Sequence, residues 1–185
     1  MAPGSARWQP CVGRVTPPPL HAAAILEVFN RLGVEYVVIG AYAAIAQHAP
    51  IPATRDIDLT PSASVANLER LSAALHELDA RIRADGLSEG LKFNHDGPSL
   101  GRARVWNLIC EHGEFDLSFF PSAFDLGYEE LAHRAHRMDV EGTVVVIADL
   151  EDVIRSKEAA GRPKDLQVLP LLYRRLQQRG DEAGS

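Results

Sequence analysis

Residues 53–61, ATRDIDLTP, place two carboxylates one residue apart, Asp56 and Asp58, with Ile57 between them and Leu59 after. A strand sends successive side chains to opposite faces, so Asp56, Asp58 and Thr60 share one face and Ile57 and Leu59 the other. A second segment, GEFDLSFF at 113–120, has the same period. Glu114, Asp116 and Ser118 fall on one side, and Phe115, Leu117 and Phe119 on the other. If the two strands are neighbours with their apolar faces on one core, three aspartates converge. Like charges that close repel, so pKa values rise or a cation neutralises them. A hard divalent ion with oxygen ligands, Mg²⁺ above all (with Mn²⁺ as a substitute), suits such a site. Its expected partner is phosphate, because Mg²⁺ keeps positions open to water or substrate oxygens. The competing reading of a lone D-x-D is a pair of solvated acids at a strand end.

The chain has 185 residues, 46% of them hydrophobic, which suits one globular domain or one domain with a small helical appendage. Its net charge of -6 does not steer it to nucleic acid, so RNA or DNA binding requires a local basic patch. Two cysteines, Cys11 and Cys110, match neither a disulfide framework nor a zinc site, and a reducing cytoplasm is expected. Cys110, on a strand, reads as core. No apolar run reaches membrane-spanning length, so no membrane partner is expected.

The order of elements points to an α+β fold, a small mixed sheet flanked by helices, with further helices at the C-terminus. Residues 1–19, rich in Pro and Gly, read as a flexible arm. Residues 20–148 form the core. Within it, a helix ends at Gly33, a buried strand ends at Gly40, and a short Ala-rich helix leaves that glycine. The strand at 51–61 follows, then a Ser-capped helix and a short strand at 81–84. Residues 85–101 read as a Gly-rich loop able to form an acceptor pocket. A hairpin joins 102–110 to 114–120, a helix spans 128–136, and a second hairpin turns at Glu141-Gly142. His133 and His136 fall on that helix end, where no role is assigned to them. Residues 149–179 are two helices that complete the site, with Pro170 expected to kink or restart the second. Residues 180–185 read as a disordered tail.

Two further features bear on chemistry. A glycine where strand meets helix, at Gly40-Ala41, lets a phosphate approach the backbone N–H groups of the helix start. Glycine is also common at any such junction. In LEDVIRSKEAAGRPKDL, Leu150, Val153 and Ile154 set an apolar stripe, and Lys157 falls on it. A lysine there snorkels out, pairs with an acid or meets an anionic ligand such as a triphosphate. Gly161-Arg162-Pro163 then breaks the helix and presents Arg162, Lys164 and Asp165.

Gly40-Ala41, TRDIDL, FDLSF and SKEAAGRPKDL, in that order, resemble the polymerase-beta-like nucleotidyltransferase superfamily. Within it they are most similar to AbiEii-type toxin nucleotidyltransferases of bacterial toxin–antitoxin systems. The resemblance spans about residues 20–176. It implies an α+β fold and transfer of a nucleoside monophosphate from an NTP. It implies Mg²⁺ held by Asp56, Asp58 and Asp116, and an NTP held by Gly40, Ala41, Lys157, Arg162, Lys164 and Asp165. Asp56, Asp58, Asp116 and Lys157 are the implied catalytic residues. Ala41 stands where the family has Gly or Ser, so a hydroxyl contact to phosphate is absent. The implied acceptor is the 3′ end of tRNA, and the implied partner is a cognate antitoxin protein. Binding of tRNA would draw on Arg102, Arg104, Arg162, Lys164, Arg174 and Arg175. The rival acceptors are a protein hydroxyl and a small hydroxylated molecule. A non-catalytic nucleotide- or partner-binding domain is the rival from another class, supported by Ala41.

Overall fold

Eight strands form one sheet in this computed structural model, which describes residues 16–183. In chain order the elements are α1 (Ala22–Arg31), β1 (Tyr36–Ile39), α2 (Gly40–Ala46), β2 (Asp56–Pro61) and α3 (Val65–Glu77). Then come β3 (Arg81–Ala84), β4 (Leu87–Leu91), α4 (Gly97–Leu100), β5 (Val105–Cys110) and β6 (Gly113–Ser118). The chain closes with α5 (Tyr128–Ala132), β7 (His136–Val140), β8 (Thr143–Ile147), α6 (Leu150–Ala160) and α7 (Pro163–Ala183). Across the sheet the order is β4-β3-β5-β6-β2-β1-β8-β7. β2 runs parallel to β6 and β1 parallel to β8, while the other neighbours are antiparallel. This is the α+β arrangement with a mixed sheet that the element order predicts.

The period-two pattern of β2 and β6 decides how the sheet is covered. Ile57, Leu59, Phe115 and Leu117 are fully buried on one face. Phe29 of α1 meets Phe115 edge-on, with ring centroids 6.4 Å apart, and Leu71 and Leu75 of α3 join the same core. Burying these side chains supplies the main drive for the fold, at roughly 1.5–3 kcal/mol each. The opposite face carries the acids. Thr60 is fully buried, so the exposed part of that row ends at Asp58.

Buried polar groups fix the joints. Asn67 of α3 accepts from the Glu35 N–H (2.7 Å) and donates to the carbonyls of Glu35 (2.9 Å) and Ser62 (2.8 Å). It thereby ties one end of the antiparallel β1–β2 pair, where Glu35 and Ser62 adjoin, to the helix. Asp149 caps α6 by accepting from the Glu151 N–H at 2.9 Å. It also receives His136 Nε2 at 2.6 Å and Arg179 Nη2 at 2.8 Å, so β7 and α7 converge on it. Burial raises the Asp149 carboxyl, but these hydrogen bonds together outweigh burial and hold it at about 2.

Several sequence expectations change here. Residues 85–101 are not a loop. Asp85-Gly86 turns the chain into β4, and α4 carries a capping box in which Asp96 and Ser99 satisfy each other's backbone N–H. The strand expected over 51–61 begins only at Asp56. The helix expected over 128–136 stops at Ala132, and His136 opens β7. The Glu141-Gly142 turn is present, with positive φ at both residues (54° and 83°), as a two-residue hairpin of this twist demands. α7 runs unbroken through Pro170 and continues to Ala183, so residues 180–183 of the expected tail are helical. The expectations for residues 1–15 and 184–185 lie outside the described residues.

Asn67→Ala would leave two backbone groups of the β1–β2 joint, the Glu35 N–H and the Ser62 carbonyl, without their side-chain partner, while the Glu35 carbonyl keeps the Ser62 N–H. We expect a loss of about 3 kcal/mol in urea unfolding, at the usual cost of orphaned buried groups. A loss below about 1 kcal/mol would mean that these groups find other partners.

Candidate active site

The parallel register sets Asp56 opposite Glu114 and Asp58 opposite Asp116. Four carboxylates thus form a two-by-two array on the face away from the core. On β5, Asn107 lies opposite Asp116, which extends the row towards β3. Three of the four, Asp56, Asp58 and Asp116, line a cleft of about 660 Å³, within the range of small-molecule sites. Its walls include Gly40, Ala41 and Thr54 on one side, and Val105, Ser118 and Pro121 on another. Ser156, Lys157, Arg162, Lys164 and Asp165 of the C-terminal helical segment close it. A second concavity of similar size, lined by Leu78, Asp79, Arg81 and Glu89, offers no such array. Of its three acids, Asp79 and Glu89 are already paired with Arg81, and Glu111 lies 3.7 Å from His112.

Cations are distributed unevenly over the four acids. Arg83 of β3 donates to Glu114 at 3.1 Å and to both oxygens of Asp116 at 2.9 and 3.2 Å. In the orientation that satisfies both of its polar ends, the Asn107 amide also donates to Asp116, at 3.2 and 3.3 Å. Asp56 accepts a hydrogen bond from the Thr54 hydroxyl at 2.7 Å. No donor among the described residues reaches Asp58. Burial first, then repulsion from Asp56 and Asp116, push Asp58 up to about 6, against the pull of Lys157 and Lys164. Burial also raises the Asp116 carboxyl, with Arg83 opposing and Asp56 adding to the rise.

Gly40 explains why Asp58 can sit where it does. Its φ is +69°, and a Cβ there would lie 2.2 Å from Asp58 Oδ2. The junction glycine therefore makes room for the carboxylate itself. No side chain caps the start of α2, so its first N–H groups have no side-chain partner. Lys157 follows one of its three sequence-level options. It pairs with an acid, Asp165, at 2.8 Å, and both side chains are nearly buried. Arg162 holds the other Asp165 oxygen at 2.5 Å. Burial alone would raise the Asp165 carboxyl, yet these two partners hold it below its usual range. Lys164 is exposed at the cleft wall, and Ala41 lines the floor near Gly40.

The structure thus brings Asp56, Asp58, Asp116, Gly40, Ala41, Lys157, Arg162, Lys164 and Asp165 to one cleft. Asp56 and Asp58 fit a divalent ion. They are two hard oxygen donors on one strand face, and Asp58 is desolvated without a counter-donor. Among the described residues no group of three acidic, His or Cys side chains is placed to hold an ion. Arg83 and Asn107 engage Asp116 from β3 and β5. Sequence reasoning missed Arg83, Asn107 and Thr54. The alternation in RIRA gives Arg83 a face, but not the strand order that sets it beside Asp116. Nor does the 85–101 segment line the cleft, contrary to its expected role as an acceptor pocket. Cys110 is buried, in keeping with a core role. No helix among the described residues is long and apolar enough to cross a membrane.

No family model matches the chain, and no curated protein does. Among solved structures the chain is similar to the lincosamide antibiotic adenylyltransferase LnuA, lincomycin-bound, at 12% identity and a TM-score of 0.56. That match covers 84% of this chain and 98% of that one. It is also similar to ANT(2'')-Ia in complex with adenylyl-2''-tobramycin, at 17% identity and a TM-score of 0.53, covering 86% and 89%. The fold is that of nucleotidyltransferases.

The folded-state pKa of Asp58 lies above its unfolded value. Between about pH 4 and 6 the folded protein therefore holds more protons than the unfolded chain, and stability falls as pH rises through that window. We expect Asp58→Asn to stabilise the fold above pH 6, by on the order of 1–2 kcal/mol after screening, and to change nothing below about pH 4. Thermal unfolding at both pH values tests this. An unchanged Tm at pH 7 would show that Asp58 is not destabilised by its surroundings.

Proposed function

We propose that this chain is a divalent-metal-dependent nucleotidyltransferase that moves a nucleoside monophosphate from an NTP to a hydroxyl acceptor. The observation that carries this reading is the pair Asp56 and Asp58, with its unmet need for a cation, facing a cleft closed by Lys157 and Lys164. Asp56 and Asp58 would hold the ion, which when bound supplies charge neutralisation for the triphosphate. Lys157, oriented by Asp165, and Lys164 and Arg162 place positive charge on the opposite wall for the phosphates. The acceptor oxygen bonds to the α-phosphorus as the bond to pyrophosphate breaks, and pyrophosphate leaves. The hydroxyl proton passes to Asp116, which lines the same cleft.

We take the 3′ hydroxyl of tRNA as the acceptor, after the resemblance of the four motifs to toxin nucleotidyltransferases. The protein would then act as a toxin neutralised by an antitoxin protein. A specific observation favours a second acceptor, a small hydroxylated molecule. Of the arginines available to grip RNA, Arg175 is engaged by Glu182 and the Gln47 carbonyl, and Arg162 by Asp165. The solved structures of similar fold also include complexes with lincomycin and with adenylyl-2''-tobramycin.

Incubation of the protein with each of four labelled NTPs, Mg²⁺ and total tRNA, beside a panel of hydroxylated small molecules, separates the readings. We expect label on one acceptor class, and a loss of at least about 10³-fold in Asp56→Ala with the fold intact. Label on a co-purified protein would assign a protein acceptor. Equal transfer by Asp56→Ala would defeat the assignment, and no transfer to any acceptor would favour a binding domain.

A further inference from the structure

The four acids of the β2–β6 array face two different cationic environments. The β6 pair, Glu114 and Asp116, shares one guanidinium. No cation among the described residues touches the β2 pair, Asp56 and Asp58. Arg83 is itself well shielded, with 28% of its side chain exposed, and Asp116 retains only 19%. A guanidinium held that way is a fixed counter-ion rather than a passing surface contact. Asn107 adds a second donor to both Asp116 oxygens. The carboxylate is therefore engaged by two donors on its β3–β5 side while it lines the same cleft as the β2 pair.

We propose that Arg83 withholds Asp116 from the metal, so that Asp56 and Asp58 alone hold the ion and Asp116 is kept facing the acceptor hydroxyl. This rests on the nucleotidyl-transfer reading above and assigns Arg83 as a positioning residue within it. A carboxylate shared with the ion would have its lone pairs drawn into coordination. One pinned by Arg83 and Asn107 keeps its remaining lone pairs for a hydrogen bond from the acceptor. The arrangement also limits the charge around the ion. One guanidinium offsets one of the two β6 acids, which leaves the β2 pair as the strongest uncompensated site.

The test is Mn²⁺ binding by the full chain without nucleotide, followed by electron paramagnetic resonance of the free ion. If Arg83 sequesters Asp116, Asp116→Asn costs threefold or less in Mn²⁺ affinity in the native background, roughly a screened through-space charge effect. In the Arg83→Met background Asp116 is released to the ion, and the same substitution costs about tenfold or more, as loss of a direct ligand does. Arg83→Lys keeps the positive charge, and its Asp116→Asn loss stays near the native one. Equal losses in the Arg and Met backgrounds would overturn the proposal, as would the absence of Mn²⁺ binding by the native protein. Should Arg83→Met fail to fold, a tenfold loss in Asp116→Asn alone still overturns it, and a loss of threefold or less supports it. The Mn²⁺ result does not depend on transfer activity, so the failure of label transfer would strike the proposed function separately.

Discussion

The parallel pairing of β2 with β6 is the constraint on which the rest depends. It makes Asp56 and Asp58 face Glu114 and Asp116 across one strand spacing. Two rows of acids at that distance oppose folding, and the apolar side of the same strands offsets the cost. Ile57, Leu59, Phe115 and Leu117 are wholly buried against α1 and α3. The period-two pattern thus produces a hydrophobic face and an electrostatically strained face together. Strain of this kind persists where the surrounding structure over-determines it, and it concentrates at sites of function.

The neighbouring elements shape that strain rather than remove it. Gly40 leaves space for the Asp58 carboxylate, and any side chain there would collide with it. Arg83 compensates the β6 acids, while Lys157 is held back by Asp165 on the opposite wall. Lys157 depends in turn on the seating of α6, whose first turn is capped by Asp149. Asp149 also gathers His136 from β7 and Arg179 from α7. The C-terminal helices are therefore anchored at a point away from the cleft, with their basic residues reaching into it.

Much of this was legible in the sequence because it rests on local periodicity. The two alternating segments gave the acid face of each strand, and the glycine at the end of β1 marked the turn into α2. Lys157 stood out because it interrupts an apolar stripe. What was hidden depends on strand order and register. Arg83 lies 33 residues before Asp116 in the chain, and only the placement of β5 between β3 and β6 brings them together. The same holds for His136, which ends no helix because the chain turns at Ala132 and enters an edge strand. The Asp85-Gly86 turn was readable as a hairpin signal, but the surrounding glycines masked the strand that follows it.

The central claim is that an uncompensated pair of acids on β2 creates a site for a divalent ion and a triphosphate together. Calorimetric titration of NTP into the native protein and into the Asp56→Ala, Asp58→Ala double variant, each with and without Mg²⁺, tests it most directly. The account predicts NTP binding by the native protein that requires Mg²⁺ and is lost in the double variant. NTP binding of equal strength without Mg²⁺, or retained by the double variant, would contradict it.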